Sequence, residues 1–162
     1  MTTWKDPQIA GVRALLAARA PDPSAPPPTF AERRVAMDAV GEASALPNGC
    51  FHEPLTLGGV KGERVAPQGA LDGRRLLYLH GGGYTIGSPR SHRPMAARIA
   101  EAARAIALVP DYRLGPEARF PGAVEDATAV YRALLDAGTD PGQIAVAYRG
   151  KSVAAGGVIM SR

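Results

Sequence analysis

Apolar positions recur along the chain with two different periods. Ile9, Val12, Leu15 and Leu16 return at helical spacing behind Asp6 and Pro7. An N-cap followed by proline in the first turn predicts an amphipathic helix that ends near Ala20. Five prolines between Pro21 and Pro28 exclude helix and central strand, leaving a stiff linker. Thr29 and Glu32 have capping-box spacing and open a second helix, with Phe30, Val35 and Val40 as its apolar members. Residues 51–57 and 62–66, separated by Gly58 and Gly59, predict a hairpin of two short strands. Leu76, Leu77, Tyr78 and Leu79 form a continuous apolar run, as expected of a strand covered on both faces. Residues 94–106 predict an alanine-rich helix with Met95, Ile99, Ala102 and Ile106 on one face, followed by a strand over 105–109. Residues 124–137 predict a helix with Val124, Ala127, Val130, Tyr131 and Leu134 inward, closed by Gly138. A last strand follows at 144–147. From residue 75 the alternation of strand and helix predicts an α/β fold, with a mostly parallel sheet and crossover helices.

Composition narrows the class. The 162 residues are 46% hydrophobic and 21% charged, which suits one folded domain with a core of its own. A net charge of +4 is spread over scattered arginines, with no basic run interleaved with aromatics, so nucleic acid is not the expected partner. Cys50 is the single cysteine; an intrachain disulfide is impossible, and a cytoplasmic location is expected. Lys5 and Arg13 interrupt the first apolar stretch, which argues against a signal peptide, and no run is long enough to span a membrane.

The apolar strand at 75–79 stops at His80, and Gly81, Gly82 and Gly83 follow, then Tyr84. Three residues without Cβ let the backbone turn sharply and present its N–H groups. Such donors, fixed in a dry cleft, stabilise charge developing on a carbonyl oxygen. Further on stand Val109, Pro110, Asp111, Tyr112, Arg113, Leu114, Gly115, Pro116 and Glu117, then Phe120-Pro121 and Glu125-Asp126. With these two motifs in this order, the chain resembles the hormone-sensitive-lipase-like family of α/β-hydrolases from about residue 58 to 147. Gly115 departs from the alanine usual in that family. The resemblance implies a partial α/β-hydrolase fold, with an N-terminal helical cap at 1–48 and a truncated core at 49–162. It implies an esterase or lipase-like serine hydrolase acting on short-chain carboxylic esters. Oxyanion donors would be Gly81, Gly82 and the residue after the nucleophile, with His80, Gly83, Tyr84, Asp111 and Arg113 supporting the loop. Arg113 is expected to be buried and paired with a carboxylate. His92 is expected on the loop before the next helix, and His52 on a strand with no assigned role. No metal or organic cofactor is implied; the expected partner is a small-molecule ester.

The nucleophile is where the resemblance frays. The family places a G-x-S-x-G elbow directly after the strand at 144–147. Here Tyr148 and Arg149 are followed by Gly150, Lys151, Ser152, Val153 and Ala154. Treating Tyr148-Arg149 as an insertion makes Ser152 the nucleophile and Val153 the third oxyanion donor. Aligned without a gap, Gly150 takes that position and no nucleophile remains. The triad also needs an acid and a histidine later in the chain, whereas His52, His80 and His92 all lie upstream. The expectation is therefore a truncated, frameshifted or cut relative, inactive or incomplete as it stands, whose strand at 144–147 is an open edge prone to self-association. Two other classes fit the residues: a non-catalytic small-ligand binder of the same fold, and a nucleotide binder. The second rests on Ala145, Gly150, Lys151 and Ser152 as a relaxed phosphate-binding loop.

Overall fold

The computed structural model describes residues 7–18 and 24–148. The elements are α1 (Pro7–Ala18), α2 (Phe30–Glu42), β1 (Phe51–Leu57), β2 (Val60–Ala66), β3 (Arg75–Leu79), α3 (Pro89–Ala103), β4 (Ile106–Pro110), α4 (Gly122–Asp136) and β5 (Ile144–Tyr148). The strands form one mixed sheet in the order β1-β2-β4-β3-β5. β4, β3 and β5 run parallel, and the β1–β2 hairpin joins antiparallel through β2 and β4. Ser152, Val153 and Lys151 lie outside the described residues.

Side-chain alternation along β3 and β4 divides the core in two. Leu76 and Tyr78 of β3, with Ala107 and Val109 of β4, pack against α3. Leu77, Ile106 and Leu108 point the other way and meet Val130 and Leu134 of α4. The two crossovers travel in opposite directions across the sheet, so a right-handed path puts their helices on opposite faces. α3 approaches the sheet through Ala96, Ala97 and Ala100, all fully buried.

Several expected faces are corrected. α3 begins at Pro89 behind Ser88, whose side chain accepts from the Ser91 amide; Pro94 lies inside the helix, so His92 is helical and not on a loop. This start puts Met95 and Ile99 on the outer side (49% and 38% exposed), since the alanines at 96, 97 and 100 are the residues small enough to seat against the strands. Ala102 is likewise exposed, and Ile106 belongs to β4. α4 starts at Gly122, leaving Val124 exposed. In α2 the capping box forms as the spacing requires. Its apolar residues Phe30, Val35 and Val40 nevertheless face outward. Among the described residues no helix is long and apolar enough to cross a membrane.

Candidate active site

The glycine loop leaves the C-terminal end of β3 and runs to the Ser88 cap of α3. Its turn is tied through a carbonyl: Gly82 O accepts from the amides of Thr85 and Ile86 and from the Thr85 hydroxyl, each at 3.2 Å. The amides of Gly81, Gly82 and Gly83 donate to no acceptor among the described residues. Gly82 has φ +129°, and a Cβ there would lie 1.9 Å from Ile86 O. Gly83 has φ +62° with open space around it. Tyr84 takes the same left-handed region at φ 59°, and its carbonyl accepts from the Gly115 amide at 2.7 Å. The loop after β3 is thereby bound to the loop after β4.

His80 is the buried hinge of this arrangement, 3% exposed. Its Nδ1 is 3.0 Å from Gly81 O, an acceptor, which assigns the proton to Nδ1. The ring stacks on Tyr112 at 4.2 Å and on His92 at 5.3 Å. Burial lowers the His80 pKa to about 4, against the smaller opposing effect of the Gly81 hydrogen bond, so the imidazole is neutral at pH 7. Nε2 is buried with no partner among the described residues. His80 therefore holds the loop rather than exchanging protons with a ligand.

Tyr112 closes the same joint from the other loop, its hydroxyl donating to His80 O. Burial raises the phenol pKa, which keeps that donor protonated. Tyr112→Phe is expected to keep the ring stack but strand the buried carbonyl. The cost would be about 1–3 kcal/mol, a drop of roughly 2–12 °C in Tm by thermal denaturation. An unchanged Tm would mean that the carbonyl finds another donor.

Arg113 is paired as expected but not buried, its side chain being 52% exposed. The guanidinium reaches Asp126 at 2.8 Å, Glu125 at 3.0 Å and Gly122 O at 3.2 Å, while the Arg113 amide donates to Asp126. A three-acceptor latch onto the start of α4 works at the surface because the guanidinium needs no desolvation to make it. Those hydrogen bonds raise the Arg113 pKa and lower that of Asp126. The Asp111 amide donates to Lys61 O at 2.8 Å, and partial desolvation, with Asp38 next, pushes its carboxyl up. Gly87 is a further site residue that motif reading passes over. At φ +95° its absent Cβ would fall 2.4 Å from Gly81 O and 2.7 Å from His80 Nδ1. His52 stands exposed on β1, the far edge of the sheet. No group of three or more His, Cys, Asp or Glu among the described residues could hold a metal ion.

An apolar cavity of about 410 Å³ lies on the α4 face beside the loop, walled by Leu79, Tyr84, Tyr112, Tyr131 and Val146. A family model of the alpha/beta hydrolase fold matches residues 76–161, from the apolar strand through the glycine loop and beyond β5. The chain belongs to that family. Within it, this α/β-hydrolase is similar to an acetyl-hydrolase of Streptomyces hygroscopicus, 46% identical over 127 residues, covering 76% of this chain and 40% of that one. An ethyl acetate hydrolase of Pseudomonas putida is 45% identical over 67 residues, 41% of this chain and 21% of the relative. The structure of an esterase from the bacterial hormone-sensitive lipase family superposes with a TM-score of 0.79 at 40% identity, over 90% of this chain and 48% of that one. EstE5 soaked with p-nitrophenyl butyrate superposes at 0.80 and 39% identity, over 88% and 47%. The chain thus spans about half the length of these solved relatives, and its fold is that of a hormone-sensitive-lipase-like α/β-hydrolase.

Proposed function

We propose that this α/β-hydrolase chain carries the oxyanion half of a serine ester hydrolase for short-chain carboxylic esters. The observation that supports it most is the set of unengaged amides at Gly81 and Gly82, at the C-terminal end of a parallel strand, where α/β sheets receive their ligands. In this reading the Ser152 Oγ bonds to the ester carbonyl carbon and the carbonyl oxygen gains the charge. Gly81, Gly82 and Val153 amides stabilise that oxygen, a base carries the Ser152 proton to the alkoxide as its C–O bond breaks, and water then releases the acid from acyl-serine. The names of the acetyl-hydrolase and ethyl acetate hydrolase relatives favour a small acyl group. Residues 1–48 would serve as the cap and 49–162 as the core. That base is not His80, which is buried and neutral, and His52 stands on the far edge of the sheet from the glycine loop. Acyl transfer by this route calls for no metal or organic cofactor, and the outer side of β5, unpaired among the described residues, is where a second chain would add.

Hydrolysis of p-nitrophenyl acetate by the chain and by Ser152→Ala tests the reading. Oxyanion donors and binding retain roughly 10³–10⁴-fold acceleration over water when a triad member is missing. Slow release of p-nitrophenolate is therefore expected, with an acetyl group on Ser152 that intact-mass measurement detects and that Ser152→Ala lacks. Turnover with no acetylated chain would remove Ser152 from the mechanism.

A further inference from the structure

α2 grips the body of the protein through Arg34, Met37, Asp38 and Gly41. Arg34 and Asp38 are half-buried and Gly41 is buried, whereas Val35 is 69% exposed and Val40 56%. What this face holds are two points on the loop between β3 and α3. Arg34 Nε donates to Thr85 O at 2.8 Å. Its Nη2 donates to Gly115 O at 2.7 Å, and Nη1 and Nη2 reach the two Glu117 oxygens at 2.9 and 2.8 Å. Asp38 accepts from the Ser88 hydroxyl, the cap of α3, and pairs with Arg90 at 3.3 Å. Gly41 sits so close that a Cβ would lie 2.4 Å from Arg90 O. Thr85, whose carbonyl Arg34 holds, is also the residue whose amide and hydroxyl both bond to Gly82 O.

One guanidinium thus joins a helix that precedes the sheet to the turn that shapes the glycine loop and to the loop after β4. Only a planar fork reaches acceptors on both loops at once; an ammonium could keep the Glu117 pair but not the two carbonyls as well. We propose that Arg34 is a positioning residue for the oxyanion loop, fixing the Gly82–Ile86 turn through Thr85 O. The inference rests on reading Gly81 and Gly82 as oxyanion donors, and α2 is then a brace on that loop.

Residue-resolved amide hydrogen exchange on the full chain tests this without requiring turnover. In Arg34→Ala and in Arg34→Lys, exchange at Thr85 and Ile86 is expected to rise at least tenfold, with Ala107 and Val109 of β4 within twofold of the parent. Glu117→Gln keeps the Thr85 bond and is expected to stay within threefold at Thr85. Acceleration confined to α2, acceleration spread equally through β4, or full rescue by lysine would each overturn the proposal. With p-nitrophenyl acetate, Arg34→Lys is expected to lower kcat about tenfold and leave KM within twofold; a change in KM alone would overturn it. A parent chain with no turnover would count against the ester-hydrolase reading only, and exchange would still decide Arg34.

Discussion

Gly82→Ala is expected to unfold the glycine loop, lowering Tm by roughly 6–12 °C and p-nitrophenyl acetate turnover by about a hundredfold. Two costs fall on this position. The backbone stands at φ +129°, outside the regions an L side chain adopts, and the new methyl would meet Ile86 O at 1.9 Å. Strain of this kind is about 1–3 kcal/mol, and forcing a methyl into packed backbone is another 1–3 kcal/mol. About 3 kcal/mol in a chain of this size gives the stated shift in Tm. Ile86 cannot retreat cheaply, since its amide is bonded back to Gly82 O. Loss of one preorganised oxyanion donor supplies the expected rate effect, ~10²–10³-fold. Gly83→Ala is the control: its φ is +62°, and no atom lies within 4 Å of the new Cβ, so about 1 kcal/mol is expected. Equal losses of Tm in the two variants would refute the steric argument.

Acid is expected to weaken the same joint. Burial holds His80 neutral with a folded-state pKa of about 4, while the unfolded chain takes up the proton near 6.5. Because the folded value is lowered, the contribution is complete above pH 6.5 and is lost as pH falls from 6.5 through about 4. It totals about 3 kcal/mol. Glu117 also has a lowered pKa, through its hydrogen bonds from Arg34, and the Asp126 carboxyl is lowered by Arg113; their losses begin lower, as pH drops toward and through their folded values. Thermal melts between pH 7 and 4 should therefore show a fall in Tm that begins above the carboxylate range and is smaller in His80→Asn. Proton NMR of the imidazole should give a midpoint near 4. A midpoint near 6.5 would mean that the ring is open to water, and the hinge role would be lost.

The sheet and its loops were readable because their signals are local. The run at 76–79 has the length and apolar character of a strand covered on both sides, and Thr29 with Glu32 has capping-box spacing that the backbone then satisfies. Pro94 has the look of a first-turn proline, which sets the expected start of α3 five residues late. The actual cap is Ser88, with Pro89 in the first turn. α2 departs from its apolar pattern for a different reason. Periodicity assigns the apolar side inward, but here the anchor is a set of directional bonds from Arg34 and Asp38 to partners about fifty and eighty residues away. No pattern within a helix encodes such partners. Gly87 leaves no mark in the pattern because its role is to leave room for Gly81 O and the His80 ring, and an unoccupied volume has no residue signature.

The stack of His80 on Tyr112 and the bond between Tyr84 O and the Gly115 amide clamp the outlets of β3 and β4 together at two successive points. The two loops consequently form one mechanical part, and neither can lengthen by a residue without dragging the other. Variation in this family member should therefore arrive in matched pairs across the two segments, or be confined to the stretch from Ala118 onward, past the last of the shared fastenings.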